Sequence, residues 1–163
     1  MIRASILFIA VVSLAGTACK KKEEGGAASG KTSEGKAAGP IKLPKLGLQI
    51  DAPGEITVGD AIMGEGHMLR GEGVGAMQIE IPKTSQTLEE AKSDAGMYTP
   101  KNLKTETLPD GWVMSFENTG SMGTNYFVEV RRDIDGKTYK CTTTGSEASQ
   151  AGAVLAACKS LRK

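Results

Sequence analysis

The feature that most constrains the fold is a sharp change in composition at Ile41. Residues 20–40 are dominated by Gly, Ala, Ser, Lys and Glu, and they contain none of the large aliphatic or aromatic side chains that build a core. Such a segment cannot bury enough surface to offset its ordering entropy, so we expect residues 19–40 to form a disordered tether. A single globular domain with one hydrophobic core must therefore be built within residues 41–163.

Ahead of the tether, residues 1–18 have the layout of an export signal peptide. Arg3 precedes a short apolar run, which ends on the small residues Gly16, Thr17 and Ala18. A cysteine directly after such a site, here Cys19, resembles the lipobox of bacterial lipoproteins. The resemblance implies that the signal is removed, that Cys19 carries palmitate-type acyl chains, and that the new amino terminus is anchored in a membrane.

Two other interpretations of this region stay open. A lipobox usually has leucine or a similar residue three positions before the cysteine, whereas this chain has Gly16, so ordinary cleavage leaving Cys19 as a free thiol also fits. An uncleaved membrane helix fits less well, because the apolar stretch of residues 4–18 is shorter than the about 20 residues that cross a bilayer. For a lipoprotein, Lys20 instead of aspartate after the cysteine favours the outer membrane, facing the periplasm.

The cysteine count agrees with export. The chain has three cysteines, Cys19, Cys141 and Cys158. Lipidation of Cys19 leaves one pair, which an oxidising compartment favours joining. Cys141 lies in a predicted strand, and Cys158 lies on the apolar stripe of a predicted C-terminal helix. Because that helix would pack on the sheet, we predict a Cys141–Cys158 disulfide.

In the first half of the domain, alternating apolar residues predict strands. One covers residues 46–50, and two or three irregular strands lie between Ile56 and Ile81, the last over residues 77–81. A capping box formed by Thr87 and Glu90 then predicts a helix over residues 88–95. Gly96 is expected to end this helix in the left-handed conformation.

The second half predicts four consecutive antiparallel strands and a last helix. The predicted strands are residues 103–108, 112–116, 126–130 and 137–143. Asp-Gly pairs at residues 110–111 and 135–136 predict tight turns, and residues 118–125 are expected to form a looser loop. The last helix is expected to begin near Ser146 as its N-cap.

These elements predict an α+β fold, an antiparallel sheet with a four-strand meander and two helices packed on it. With GLQIDAP at residues 47–53, TLEEAK at 87–92 and DGW at 110–112, the domain resembles the PsbP-like domains, a group that includes the Mog family of nuclear-transport factors and several bacterial lipoproteins. The resemblance covers about residues 44–162 and implies a sandwich fold. It also implies binding of proteins or small partners without shared catalytic residues, so no functional residue is carried over.

Few residues suggest a chemical site. His67 is the single histidine, and Met63 and Met68 beside it could add soft thioether ligands for cuprous copper. Since a metal site needs three or more donors, a solvated histidine is the simpler interpretation, and we predict no metal. The six methionines after Met1 could line a promiscuous binding surface, but in a domain with few aromatic residues we expect them to fill the core. The glycine-rich residues 71–75 lead into a predicted strand, which favours a bulged hairpin over a phosphate-binding loop.

The remaining features point away from catalysis and nucleic acid. No Gly-x-Ser-x-Gly or His-Glu-x-x-His motif is present, and the predicted disulfide removes both domain cysteines as nucleophiles. Residues 41–163 contain ten lysines and four arginines against six aspartates and ten glutamates, with Arg131-Arg132 as an isolated basic pair. We therefore expect a non-enzymatic interaction module, without cofactor or nucleic acid, whose partner is another envelope protein. The alternative is a carrier of a small ligand or soft metal ion.

Intact-mass spectrometry of the protein from its native membrane tests the predicted processing. The mass should show loss of residues 1–18 and gain of acyl chains at Cys19, and reduction should add the mass of two hydrogen atoms at the Cys141–Cys158 bond. A mature chain that keeps its first residues, or that carries an unmodified Cys19 thiol, would contradict the lipoprotein prediction.

Overall fold

A computed structural model describes residues 39–143 and 146–163. The predictions for the signal peptide, for Cys19 and for the tether up to residue 38 lie outside these ranges. The described residues form nine strands, two α-helices and one 3₁₀ turn, an α+β class as predicted. The elements are β1 Ile41–Leu43, β2 Leu48–Ile50, β3 Thr57–Asp60, β4 Glu65–Gly71, β5 Gly75–Ile81, α1 Leu88–Ala95, the 3₁₀ turn Gly96–Tyr98, β6 Lys101–Leu108, β7 Gly111–Gly120, β8 Gly123–Ile134, β9 Lys137–Thr143 and α2 Ala148–Lys159.

The main sheet is antiparallel, in the order β3-β4-β5-β9-β8-β7-β6, and β1 and β2 form a separate hairpin. The sheet thus has seven strands. The prediction of a four-strand meander is wrong for the sheet as a whole. The strands β6 to β9 do follow one another as expected. The difference arises because β5 pairs with β9, with Ile79 opposite Cys141, so the first three strands of the sheet join the last four.

The predicted loose loop at residues 118–125 is also wrong. Strands β7 and β8 stay paired through this region, with Asn118 opposite Asn125 and Gly120 opposite Gly123. The hydroxyls of Thr119 and Thr124 lie 3.1 Å apart across the ladder. Polar residues therefore build an exposed two-stranded extension here, which hydrophobic alternation does not reveal. The turn at Asp135-Gly136 is tight as predicted, and both residues have positive φ, as a type I′ turn requires.

Helix α1 begins as predicted and ends differently. The backbone N–H of Thr87 donates to Glu90 Oε2 over 2.7 Å, and the N–H of Glu90 donates back to Thr87 Oγ1 over 3.3 Å. Gly96 is right-handed, with φ −55°, because the chain continues for one tighter turn. The left-handed residue is Thr99, with φ 50°. Two exposed side chains, Met97 and Tyr98, therefore lie at the end of this helix.

Helix α2 has Glu147 as its N-cap, one residue later than predicted. Ser146 is engaged elsewhere, because its backbone exchanges hydrogen bonds of 2.9 and 3.0 Å with Tyr126 of β8. Gln150 Oε1 accepts from the N–H of Glu147 over 3.2 Å and satisfies an amide at the helix start. The apolar stripe of α2 faces the sheet, as the spacing predicts.

The two faces of the sheet carry different cores. On one face, the β1–β2 hairpin and α2 cover a large cluster that includes Leu43, Ile50, Leu69, Ile79, Val130, Tyr139, Val154 and Leu161. On the other face, α1 covers a small cluster of Ala91, Ala95, Trp112, Met114 and Phe116. The predicted disulfide between Cys141 and Cys158 is confirmed, and it joins β9 to α2 within the large cluster.

Removing the disulfide tests its contribution to stability. A double variant, Cys141→Ala with Cys158→Ala, should lower the free energy of unfolding by about 3 kcal/mol, because the bond closes a short loop in the unfolded chain. Urea unfolding followed by circular dichroism measures this. Wild-type protein in reductant is the matched control and should lose a similar amount. A loss below about 1 kcal/mol in both would show that the bond is not a structural staple.

Candidate binding groove

An open groove of about 620 Å³ lies on the sheet face that α1 partly covers. Its wall is formed by α1 and the 3₁₀ turn, and its floor by strands β7, β8 and β9. The groove exists because α1 contacts β7, while the neighbouring strands on the same face have no helix above them among the described elements. We refer to this site as the α1 groove.

Two small residues hold α1 close to the sheet. Ala91 and Ala95, four positions apart, lie on the same side of the helix and are buried against Met114 and Phe116. The indole N–H of Trp112 donates to the backbone oxygen of Gln86 over 3.2 Å and fixes the segment before the helix. The wall of the groove is therefore attached at its start and along its length.

An aromatic stack forms the apolar end of the groove. The rings of Phe116 and Phe127 lie 4.8 Å apart with planes 11° from parallel. Tyr98 extends the stack, with its ring 5.9 Å from Phe127 and 6.3 Å from Phe116. Tyr98 is nonetheless 51% exposed and the adjacent Met97 is 78% exposed. This end of the groove therefore presents apolar surface that a ligand could cover.

The opposite side of the groove is polar. Glu129 and Lys140 form an ion pair of 2.9 Å on the floor, and both side chains are partly buried. At the rim, Asp94 Oδ2 accepts from the side-chain amide of Gln86 over 2.6 Å. Thr142 completes the floor between these groups. The groove thus combines a flat aromatic surface with carboxylate groups.

Glu90, in the first turn of α1, is the acidic residue of this helix whose pKa is shifted. The backbone N–H of Thr87, together with its hydroxyl, holds the pKa of Glu90 below its ordinary value. Because Glu90 is charged at neutral pH, the capping box stays intact there and α1 keeps its position over β7.

His67 was expected to be a solvated histidine and was only a weak candidate for a metal ligand, but the expectation of solvation is wrong. The residue is part of β4 and is 4% exposed. The backbone N–H of Lys45 donates to Nε2 over 3.1 Å, and Nδ1 lies 3.3 Å from the carbonyl oxygen of Gly59, to which it donates. Both ring nitrogens are therefore engaged, and a metal could bind only if one of these hydrogen bonds broke. The nearby ammonium of Lys45 lowers the pKa of Asp60 by donating a hydrogen bond to it.

Met63 and Met68, the two weak candidates for further ligands beside His67, do not lie together with its ring. Met63 is 75% exposed in the turn between β3 and β4, whereas Met68 is buried. Since Met68 follows His67 directly in a strand, their side chains point to opposite faces of the sheet. Across residues 39–143 and 146–163, no group of three or more His, Cys, Asp or Glu side chains could hold a metal.

The methionines and the glycine-rich residues 71–75, the other features considered as possible sites, have structural roles or are exposed. The methionines outside residue 1 divide evenly: three fill cores (Met68, Met77 and Met114) and three are exposed (Met63, Met97 and Met122). The predicted core role therefore holds for half of them. The glycine-rich residues 71–75 form the β4–β5 hairpin, with Gly71 opposite Gly75, and lead into a strand as expected.

Sequence reasoning missed the α1 groove. The only signal was Met97-Tyr98 placed between a helix and Pro100, two large apolar residues outside any periodic pattern. Phe116 and Phe127 lie on two consecutive strands, and the β7–β8 register places them opposite each other.

Comparison with known proteins gives no match to a protein-family model, to a curated protein or to a solved structure. In the part of the chain that the structure describes, neither α-helix has the length and apolar character needed to span a bilayer.

The role of His67 can be tested by truncation. His67→Ala should lower the free energy of unfolding by about 2 kcal/mol, because it removes a buried side chain together with its hydrogen bonds to the Lys45 N–H and the Gly59 oxygen. Urea unfolding measures this loss, and elemental analysis of purified protein reports bound metal. Met63→Ala, at an exposed position, is the control and should change stability by less than about 0.5 kcal/mol. Stoichiometric copper in the wild type that both variants lack would instead favour a metal carrier.

Proposed function

We propose that the protein is a lipid-anchored, non-catalytic binding module of the bacterial cell envelope, and that its α1 groove engages another envelope protein. The observation that carries the proposal is the exposed continuation of the Phe116–Phe127 stack by Tyr98, with the side chain of the preceding residue, Met97, also exposed. Aromatic and methionine side chains of this kind are enriched in the cores of protein interfaces.

The chemistry of the groove supports binding over catalysis. Its lining contains no histidine or cysteine among the described residues. The Glu129 carboxylate is paired with the Lys140 ammonium, and Asp94 is engaged with a neutral amide. What the groove offers is shape, apolar area and charge.

Membrane attachment is the second part of the proposal. Acylation of Cys19 would fix the amino terminus in a membrane, and the tether up to residue 40 would hold the folded domain away from its surface. The Lys20 position favours the outer membrane. The PsbP-like resemblance is part of this proposal as well, since it implies protein or small-partner binding.

A carrier of a small ligand is the second candidate. A groove of about 620 Å³ lies within the range typical of small-molecule sites, which is the observation that favours it. The open side of the groove argues for a larger partner, because small ligands are usually enclosed over most of their surface.

Site-specific photo-crosslinking in the envelope tests the proposal. A photoreactive amino acid at Met97 should capture a discrete envelope protein, whereas the same group at Met63, equally exposed on the β3–β4 turn, should not. Tyr98→Ala should weaken capture at least fivefold, because truncating an aromatic hot spot of an interface costs more than about 1 kcal/mol. Met63→Ala should leave it unchanged.

Two outcomes would count against the interaction module. Equal capture from positions 97 and 63 would show that the crosslinks are non-specific and do not report a binding site at the α1 groove. A small molecule that co-purifies with the wild type and is lost in Tyr98→Ala would favour the carrier.

A further inference from the structure

We infer that the α1 groove recognises a positively charged segment, namely an apolar stretch of the partner protein that bears a lysine side chain. The inference rests on the proposed function and specifies the chemistry of the partner. It follows from the charge balance of the groove, from the exposed ring at its apolar end and from the one carboxylate oxygen left open at its rim.

The charged side chains that line the groove, Asp94, Glu129 and Lys140, have a net charge of −1. Lys140 is compensated by Glu129, 2.9 Å away. Asp94 has a neutral partner, the Gln86 amide, and no cation pairs with it among the described residues. The groove therefore carries one uncompensated negative charge. Asp94 also lies in the last turn of α1, where the helix dipole adds negative potential. Both effects favour a cationic ligand and disfavour an anionic one.

The apolar end of the groove suits a cation on an aliphatic stem. Tyr98 is stacked on Phe116 and Phe127 and is still half exposed, so part of its ring remains available. Aromatic faces attract ammonium groups, and a lysine stem can pack on Tyr98 and Met97 while its charged end reaches for the carboxylate of Asp94. Flanking apolar residues of the partner would cover the rest of the stack.

The hydrogen bonding of Asp94 favours lysine over arginine. Its Oδ2 atom is engaged by Gln86 Nε2 at 2.6 Å, which leaves Oδ1 as the open acceptor. A guanidinium reaches its full strength in a two-pronged contact with both carboxylate oxygens, whereas an ammonium is a point charge that one oxygen can satisfy.

Isothermal titration calorimetry with three short peptides tests the inference on the full chain in detergent micelles, with empty micelles subtracted. The peptides are acetyl-Ala-Leu-X-Leu-Ala-amide, where X is lysine, norleucine or glutamate. Lysine and norleucine share the aliphatic stem and differ in the charged group. The lysine peptide should bind at least fivefold tighter than the norleucine peptide at low salt, and the glutamate peptide should bind weakest.

Two groove variants and one control locate the effect. Asp94→Asn should remove the preference for lysine over norleucine and leave the norleucine affinity unchanged. Tyr98→Ala should weaken both peptides. Asp135→Asn removes a carboxylate from the β8–β9 turn, outside the groove, and should keep the preference.

The contrary results separate the inference from the proposed function. Equal binding of lysine and norleucine peptides, tighter binding of the glutamate peptide, or a preference that survives Asp94→Asn would overturn the cationic ligand. If Tyr98→Ala still weakened the norleucine peptide, the interaction groove itself would stand. If no peptide bound, the inference would fall, and the crosslink at Met97 would decide the proposed function independently.

Discussion

The pairing of β5 with β9 is the contact on which the rest of the structure depends. It places Ile79 opposite Cys141 and joins two hairpin systems into one sheet. On one face, Cys141 then binds α2 through the disulfide to Cys158. On the other face, the next residue of β9, Thr142, becomes part of the floor of the α1 groove. Without this pairing, the large core would have no continuous sheet surface beneath it, because Leu69 and Ile79 would be separated from Val130 and Tyr139.

The groove is a consequence of unequal coverage. Seven strands span about 29 Å across a sheet, whereas an eight-residue helix is about 12 Å long and about 10 Å wide. The large core is covered by two elements, the β1–β2 hairpin and α2, but the opposite face has α1 over β7. Alanines at positions 91 and 95 bring this helix close to the sheet, so its side forms a steep wall. The uncovered surface is apolar near the end of the helix, where Tyr98 is exposed, and polar on the floor, where Glu129 and Lys140 lie.

Local patterns predicted most elements well and their ends poorly. Hydrophobic alternation located the strands around residues 77–81 and 126–130, and the Thr87–Glu90 pair located the start of α1. Alternation failed at residues 118–125, because an exposed polar extension has no buried face to mark it. Gly96 was expected to stop the helix in the left-handed conformation. Glycine permits that conformation but does not require it, and here the turn falls at Thr99.

By itself, the sequence determined the α+β class and the partners in the disulfide, because periodicity and cysteine count are properties of the chain alone. The tertiary structure alone decided the seven-stranded order, the burial of His67 and the α1 groove. The burial of His67 depends on the β1–β2 hairpin packing on the sheet, which brings the Lys45 N–H to the ring. The aromatic stack depends on the β7–β8 register, which places Phe116 opposite Phe127. The β7–β8 register is set by the turn between Gly120 and Gly123 and by which strand faces are buried, and the polar residues around this turn carry no alternation that would reveal it.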